Sequence, residues 1–200
     1  LVVVWPGGAT QTLRDVTVDR MITLDQAQAL APADLTITPA DPLTLFSETT
    51  VKGLQFRHKE DNFSEFMREK LIPHSLAREG PALAKADVNG DGLEDIFLGG
   101  ATGQESVLMI QQDDGSFRKA SIPRLTKDIY AEDVDAAFFD ADGDGDSDLY
   151  IVRGGNEMGI NHLLLNDLLL INDKGNFNPA KLPPVSHNGS CVRPADFDGD

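Results

Sequence analysis

Short apolar runs separated by turn-forming residues dominate the chain. The opening LVVVW predicts a strand, Pro6-Gly7-Gly8 a turn, and TQTLRDVTVDRMITL one or two further strands rich in Val, Thr and Ile. From residue 81 onward the alternation continues, with apolar stretches such as IFL and LYIV bounded by Gly, Asp and Asn. The pattern therefore predicts a mostly β protein with a small β segment at residues 1–27.

Residues 28–48 interrupt this pattern. Prolines are spaced through them at Pro32, Pro39 and Pro42, and proline lacks the N–H that a strand ladder needs. We therefore expect a Pro-containing linker at 28–48 and a second domain at 49–200. Near the start of that domain, apolar residues at helical spacing after the cap Asp61-Asn62 predict a short amphipathic helix. These residues are Phe63, Phe66, Met67 and Leu71.

An acidic motif recurs along the second domain. DVNGDGLED opens at Asp87, DADGDGDSD at Asp140, and the truncated DFDGD at Asp196. An apolar stretch ending in Gly-Gly follows each of the first two copies. Further on, DDGSFRKASIP aligns without gaps to DKGNFNPAKLP, so that Phe117 matches Phe177. Two separated motifs in the same register predict a repeat protein, with roughly four short strands in each unit.

Each complete copy of the motif forms a nine-residue frame, D-x-[DN]-x-D-G-x-x-D, at 87–95 and 140–148. Positions 1, 3, 5 and 9 carry side-chain oxygens, and position 7 would offer a backbone carbonyl to a metal. The glycines let the backbone curl so that these oxygens turn inward. The predicted metal-ligating residues are Asp87, Asn89, Asp91, Leu93 and Asp95 in the first copy, Asp140, Asp142, Asp144, Asp146 and Asp148 in the second, and Asp196, Asp198 and Asp200 in the third.

Calcium is the metal that these ligands favour, because hard oxygen donors at a flexible radius suit Ca²⁺. Mg²⁺ fits less well since it demands strict octahedral geometry, and softer metals would require Cys or His, which the frames lack. An EF-hand is excluded because Leu98 and Ile151 stand where it needs glutamate and because the flanks are strands. Dockerin-type loops fail on the same flanks. The remaining alternative, polar turns without an ion, is weakened by the recurrence in register.

The charge of the chain agrees with a cationic partner. The formal net charge is −16, from 33 acidic and 17 basic residues. Nucleic-acid binding and docking on anionic lipid are therefore disfavoured, since both need Lys and Arg. No apolar run approaches the roughly 20 residues of a membrane span. Cys191 is the only cysteine, which excludes an intrachain disulfide.

The acidic loop, the apolar strand after it and the Gly-Gly that follows together resemble the FG-GAP/VCBS repeats of integrin-α-like β-propellers. The resemblance covers about residues 81–200. It implies a partial β-propeller of four-stranded antiparallel blades, with Ca²⁺ held in the loop between the first two strands of each blade. In the first loop Asn89 replaces an acid, which lowers the ligand charge. The third loop stops at Asp200, so its frame is incomplete.

The first 25 or so residues, anchored by Trp5-Pro6-Gly7-Gly8, are similar to the carboxyl end of ASPIC/UnbV domains of the cartilage-acidic-protein-like family. Because the chain opens in a strand-like run and stops inside an acidic motif, we expect it to be a piece of a longer protein. Two complete units cannot close a propeller, which needs about four to eight blades. The resemblance therefore implies that further blades come from the rest of the parent protein.

The expected function is a non-enzymatic, calcium-stabilised adhesion or recognition module outside the cytoplasm, at the cell surface or, in a bacterium, in the periplasm or outer membrane. Its expected partners are calcium and an extracellular protein or glycan. The alternative is the propeller part of a carbohydrate-acting lyase or hydrolase. The cluster Arg57, His58, Glu60 and Asp61 has the composition of an acid/base site, but no spacing of a nucleophile and a base specifies a reaction. We therefore predict no catalytic residues.

Overall fold

The protein is described here by a computed structural model that covers residues 1–17, 19, 21–30, 49–159, 161–184 and 186–197. It divides into two compact units, Leu1–Glu48 and Thr49–Asp200. Strands dominate both units, as the alternation of apolar runs and turns predicts, and the mostly β fold is confirmed. No helix within the described residues is long and apolar enough to cross a membrane.

The first unit contains one antiparallel hairpin. Strand β1 (Val2–Val4) pairs with β2 (Thr10–Thr12) across the predicted Pro-Gly-Gly turn. An isolated bridge joins Thr10 to Leu30, and a 3₁₀ turn at Gln26–Gln28 is capped by the Asp25 carboxylate. Of the one or two strands expected after the turn, the described residues contain β2. Most of the predicted linker at 28–48 lies outside the described residues.

The second unit contains two four-stranded antiparallel sheets, each built from strands consecutive in sequence. The first sheet, sheet I, consists of β3 (Leu83–Ala86), β4 (Asp95–Leu98), β5 (Val107–Gln111) and β6 (Phe117–Lys119). The second, sheet II, consists of β7 (Glu132–Phe139), β8 (Asp148–Gly154), β9 (Leu168–Asp173) and β10 (Asn176–Pro179). The repeat of four short strands expected from the sequence is therefore present twice. The closed propeller stays a prediction.

The two sheets carry equivalent features at equivalent places. The acidic loops connect β3 to β4 and β7 to β8. The aligned phenylalanines lie at the start of the last strand of each sheet, Phe117 as the first residue of β6 and Phe177 as the second residue of β10. The two repeats differ by one residue just before the aligned segments 113–123 and 173–183. Phe117 pairs with Gln111, whereas Phe177 pairs with Asn172, so the second hairpin turn is one residue shorter.

A shared hydrophobic core joins the two sheets. Its fully buried members include Phe97 and Leu108 of sheet I and Leu149, Ile151 and Leu170 of sheet II. The short helix α1 (Pro123–Lys127), which the sequence did not predict, covers the core with Leu125. The first strands of the two sheets, β3 and β7, lie against each other. Each sheet thus buries apolar surface on its neighbour, which keeps the two acidic loops at fixed positions.

The helix predicted around residues 63–71 is wrong. The structure has one 3₁₀ turn there, at Glu65–Met67. Met67 and Leu71 are 82% and 97% exposed, so the apolar residues do not form a buried stripe. Glu65 is instead the buried residue, and its carboxylate accepts hydrogen bonds from the backbone N–H groups of Leu76 and Ala77 at 2.6 and 2.5 Å. This tertiary contact fixes the segment as a loop and overrides its helical spacing.

Candidate metal centre

Each acidic loop is held by the two strands that it connects. In the second loop the frame begins after β7 at Asp140 and ends inside β8 at Asp148. The antiparallel pairing of these strands brings the ends of the frame together, since Phe139 pairs with Asp148. Gly143 and Gly145 have φ angles of 81° and 92°, which other residues rarely adopt. The glycines of the frame therefore bend the loop as the sequence predicts.

The first aspartate of each loop accepts hydrogen bonds from the backbone inside the loop. Asp140 Oδ1 accepts from the N–H of Gly143 at 2.7 Å, and its Oδ2 accepts from Gly145 at 2.9 Å. Asp87 makes the same pair of contacts, to Gly90 at 2.8 Å and Gly92 at 2.7 Å. This shared pattern shows that the two loops have one conformation despite their different sequences.

The last aspartate of each frame lies in the core. Asp148 is fully buried, and its two oxygens accept hydrogen bonds from the N–H groups of Ala141 and Asn172, each at 2.7 Å. Asp95 is also fully buried and accepts from Val88 at 3.1 Å and from Gln111 at 2.8 Å. The carboxylate at position 9 thus ties the loop to the third strand of its own sheet.

Three carboxylates of the second loop converge. Asp140, Asp142 and Asp148 each offer an oxygen, and these oxygens all lie within 4.8 Å of one another. Asp144 is not part of this group, and its Oδ1 accepts from the N–H of Asp146 at 2.9 Å. The Asp146 side chain reaches instead toward the β9–β10 hairpin, where its Oδ2 accepts from the N–H of Lys174 at 2.9 Å. Three of the four predicted side-chain ligands of this loop are therefore brought together.

The first loop is less acidic at its centre. Asn89 Nδ2 donates to Asp91 Oδ2 at 2.9 Å, so one oxygen of this carboxylate already accepts a hydrogen bond from an amide. Asp91 Oδ1 accepts from the N–H of Leu93 at 2.8 Å. Within the described part of the chain, no three carboxylates of this loop meet within 4.8 Å. Of the third copy, Asp196 is exposed, whereas Asp198 and Asp200 lie outside the described residues.

The loop carboxylates differ in their electrostatic environment. Desolvation, followed by the negative charges of Asp144, Asp148 and Asp140, raises the pKa of Asp142. At Asp87, burial alone would raise the pKa, but hydrogen bonds from the loop backbone outweigh it and lower the pKa. Only part of the increase at Asp142 comes from the neighbouring carboxylates, and a cation would relieve that repulsion.

The contacts of Asn172 could not be predicted from the sequence. Its side chain is fully buried, and Nδ2 donates to the carbonyl of Val88 in the first loop at 2.7 Å and to the carbonyl of Ser147 in the second loop at 3.1 Å. Its Oδ1 accepts from the N–H of Gly175 at 2.7 Å. One amide of sheet II therefore joins both acidic loops.

The histidine at the centre of the enzymatic alternative is bound between two acceptors. His58 Nε2 lies 2.7 Å from Glu60 Oε1, and Nδ1 lies 3.3 Å from the carbonyl oxygen of Gly99. These contacts attach the segment before Asp61 to the end of β4. The prediction that the chain has no catalytic residues stays a prediction.

The fold and the loops define a protein built from four-stranded β repeats with an acidic loop between the first two strands of each. Comparison with known families agrees: residues 87–151, which run from the first acidic loop into β8, match the family model described as FG-GAP-like repeat. The match supports an FG-GAP-like repeat protein, a class typical of extracellular recognition. None of the curated proteins matches the chain. The ASPIC/UnbV and integrin-like resemblances stay predictions.

Proposed function

We propose that this chain is a calcium-binding repeat module that serves adhesion or recognition outside the cytoplasm, and that Ca²⁺ has a structural role in its acidic loops. The observation that carries the proposal is the convergence of Asp140, Asp142 and Asp148 within 4.8 Å. Opposite ligands of one Ca²⁺ are about 5 Å apart, since each lies 2.3–2.6 Å from the ion. Oxygens this close can therefore share a single ion.

The donors present fit calcium. The three converging side chains supply hard oxygen ligands, and the buried Asp148 is held rigidly by two backbone N–H groups. We assign Asp144 as a fourth side-chain ligand and the backbone carbonyl of Asp146 as a further one. The first loop would bind more weakly, because Asn89 replaces a carboxylate and donates to Asp91.

Calcium would stabilise the repeat by neutralising the loop that joins its first two strands. Free energy gained from binding adds to the stability of the folded state by mass action, about 2.7 kcal/mol at a calcium concentration 100 times Kd. For a chain of this size that corresponds to an increase in Tm of about 5–10 °C. Extracellular sites with Kd of about 10⁻⁴–10⁻³ M would be occupied where calcium is abundant.

Calcium titration by isothermal calorimetry tests the proposal, with Asp142→Asn and Asp146→Asn as a matched pair. Both substitutions remove one negative charge from the same loop. Asp142→Asn should weaken binding by about tenfold or more, equivalent to about 1.4 kcal/mol, and Asp144→Asn should weaken it similarly. Asp146→Asn should have a small effect, because an amide oxygen can still accept from Lys174.

Two results would contradict this proposal. In the first, the wild-type chain shows neither heat of binding nor an increase in Tm when calcium is added. In the second, Asp142→Asn and Asp146→Asn lose the same amount of calcium affinity. The second result would mean that affinity follows the total charge of the loop and not the ligand frame. Magnesium at the same concentration serves as the ion control and should produce a smaller increase in Tm, since it keeps its waters.

A further inference from the structure

A second acidic group lies outside the loops. Glu132 begins β7, and Glu157 follows the Gly154-Gly155 turn at the end of β8. The antiparallel register pairs Glu132 with Gly154, so the glutamate of the first strand lies beside the turn that carries the second. Glu132 is 3% exposed, and such complete burial is rare for a glutamate.

The two carboxylates face the same small space. A Cβ built on Gly155 would lie 2.3 Å from Glu157 Oε2 and 3.0 Å from Glu132 Oε2. Gly155 also has a φ of 80°, so this position requires glycine for its backbone and for the room that it leaves. A cavity of about 250 Å³ lies on the other side of this glycine, with Gly155 and Glu79 in its wall.

Neither carboxylate has a partner on its Oε1 oxygen. In the described part of the chain, Glu132 Oε1 and Glu157 Oε1 are both buried and accept no hydrogen bond. The nearby Arg68 does not neutralise them, because its Nη2 donates to the carbonyl of Asn156 at 2.5 Å and to Glu69 at 3.2 Å. The two side chains hydrogen-bond each other. Two neighbouring carboxylates that are both ionised in a buried place are costly, so the pair holds either a proton or a cation.

Further acids surround the pair on the segment that precedes sheet I. Desolvation, followed by the charges of Glu157, Glu60 and Asp61, raises the pKa of Glu132 to about 8. Desolvation also raises the pKa of Glu157, with Asp61 and Glu65 adding to it. His58 is the basic partner in this group, and its Nε2 lies against Glu60. The negative charge therefore converges on Glu132 and Glu157 from two segments of the chain.

We propose that Glu132 and Glu157 form a second cation site, separate from the acidic loops, that binds a hard divalent ion such as Ca²⁺. Carboxylate oxygens are the ligands that such ions take. Two oxygens that are buried and unpartnered are available to the ion without breaking an existing hydrogen bond. An ion at this site would join the start of β7 to the turn after β8.

Equilibrium dialysis of the full chain against radioactive calcium at saturating concentration tests this site. Glu157→Gln should bind one calcium ion fewer than the wild type, and Glu132→Gln should show the same loss. Glu69→Gln is the matched control, because Glu69 is an exposed acid on the neighbouring segment, and it should bind as many ions as the wild type. Asp142→Asn, in the acidic loop, should retain the ion that depends on Glu157.

Melting without calcium checks that the variants fold. With the ions removed by chelation, Glu157→Gln should have a Tm equal to or above that of the wild type, because one of two crowded carboxylates is gone. With calcium added, its Tm should increase less than that of the wild type. Unchanged stoichiometry in Glu157→Gln and Glu132→Gln would overturn the proposal and indicate that the pair shares a proton. If Asp142→Asn lost a calcium ion and the two glutamate variants did not, the loop site would be supported and the site at Glu132 and Glu157 rejected.

Discussion

Replacing Asn172 by alanine tests whether adjacent repeats stabilise each other through one side chain. The amide is fully buried between the two acidic loops and makes three hydrogen bonds, to the carbonyls of Val88 and Ser147 and from the N–H of Gly175. Alanine removes all three at once. The carbonyl of Val88 would then lose its partner in a buried place, whereas Ser147 is half-buried and Gly175 is exposed.

The expected cost follows from these contacts. A hydrogen bond contributes about 1 kcal/mol net to stability, and a buried group left without its partner costs at least as much. Three bonds give a loss of about 3 kcal/mol in the free energy of unfolding. For a chain of this length the Tm should decrease by about 6–12 °C.

The assay is urea and thermal unfolding followed by circular dichroism, with Asn176→Ala as the control. Asn176 lies in the same hairpin, is exposed, and donates one hydrogen bond to the carbonyl of Asp173 at 2.9 Å. Its loss should change stability by no more than about 0.5 kcal/mol. If Asn172→Ala melted within one or two degrees of Asn176→Ala, the reasoning that this amide holds the repeats together would be refuted.

Two further substitutions probe the segment that precedes sheet I. Burial alone would raise the pKa of Glu65, but hydrogen bonds from the N–H groups of Leu76 and Ala77 outweigh it, so the net pKa is lowered. Its contribution to stability should therefore be complete above about pH 5 and be lost as pH decreases through the lowered pKa. Urea unfolding should show that Glu65→Gln is less stable than the wild type at pH 7 and that the difference shrinks toward pH 3; a constant difference would contradict this. Gly53→Ala should decrease the Tm by several degrees more than Gly103→Ala. Both glycines have positive φ, but only at Gly53 would the added Cβ collide with backbone, 1.8 Å from the carbonyl oxygen of Phe117. Equal decreases in Tm would show that backbone conformation alone sets the cost.

The features that the sequence predicted correctly are those that depend on the local pattern of residues. Acidic frames with glycines at fixed positions specify the curl of each loop, and the apolar runs beside them specify the strands, so the two four-stranded units and the convergence at Asp140 follow from spacing. The position of Asn172 could not be predicted, because its contact with Val88 joins residues that are 84 positions apart. Glu65 illustrates the opposite case, in which apolar spacing predicted a helix but a buried carboxylate fixed a loop.

The contact of Asn172 with the first loop also gives the array a direction. The amide that contacts the loop of sheet I belongs to sheet II, so the first repeat depends on the second for one buried hydrogen bond. Removing sheet II would therefore weaken the acidic loop of sheet I, whereas removing sheet I would take away no hydrogen bond from within the acidic loop of sheet II. Where further repeats share this contact, stability passes from each repeat to the one before it, and the last repeat lacks the amide that would close its loop.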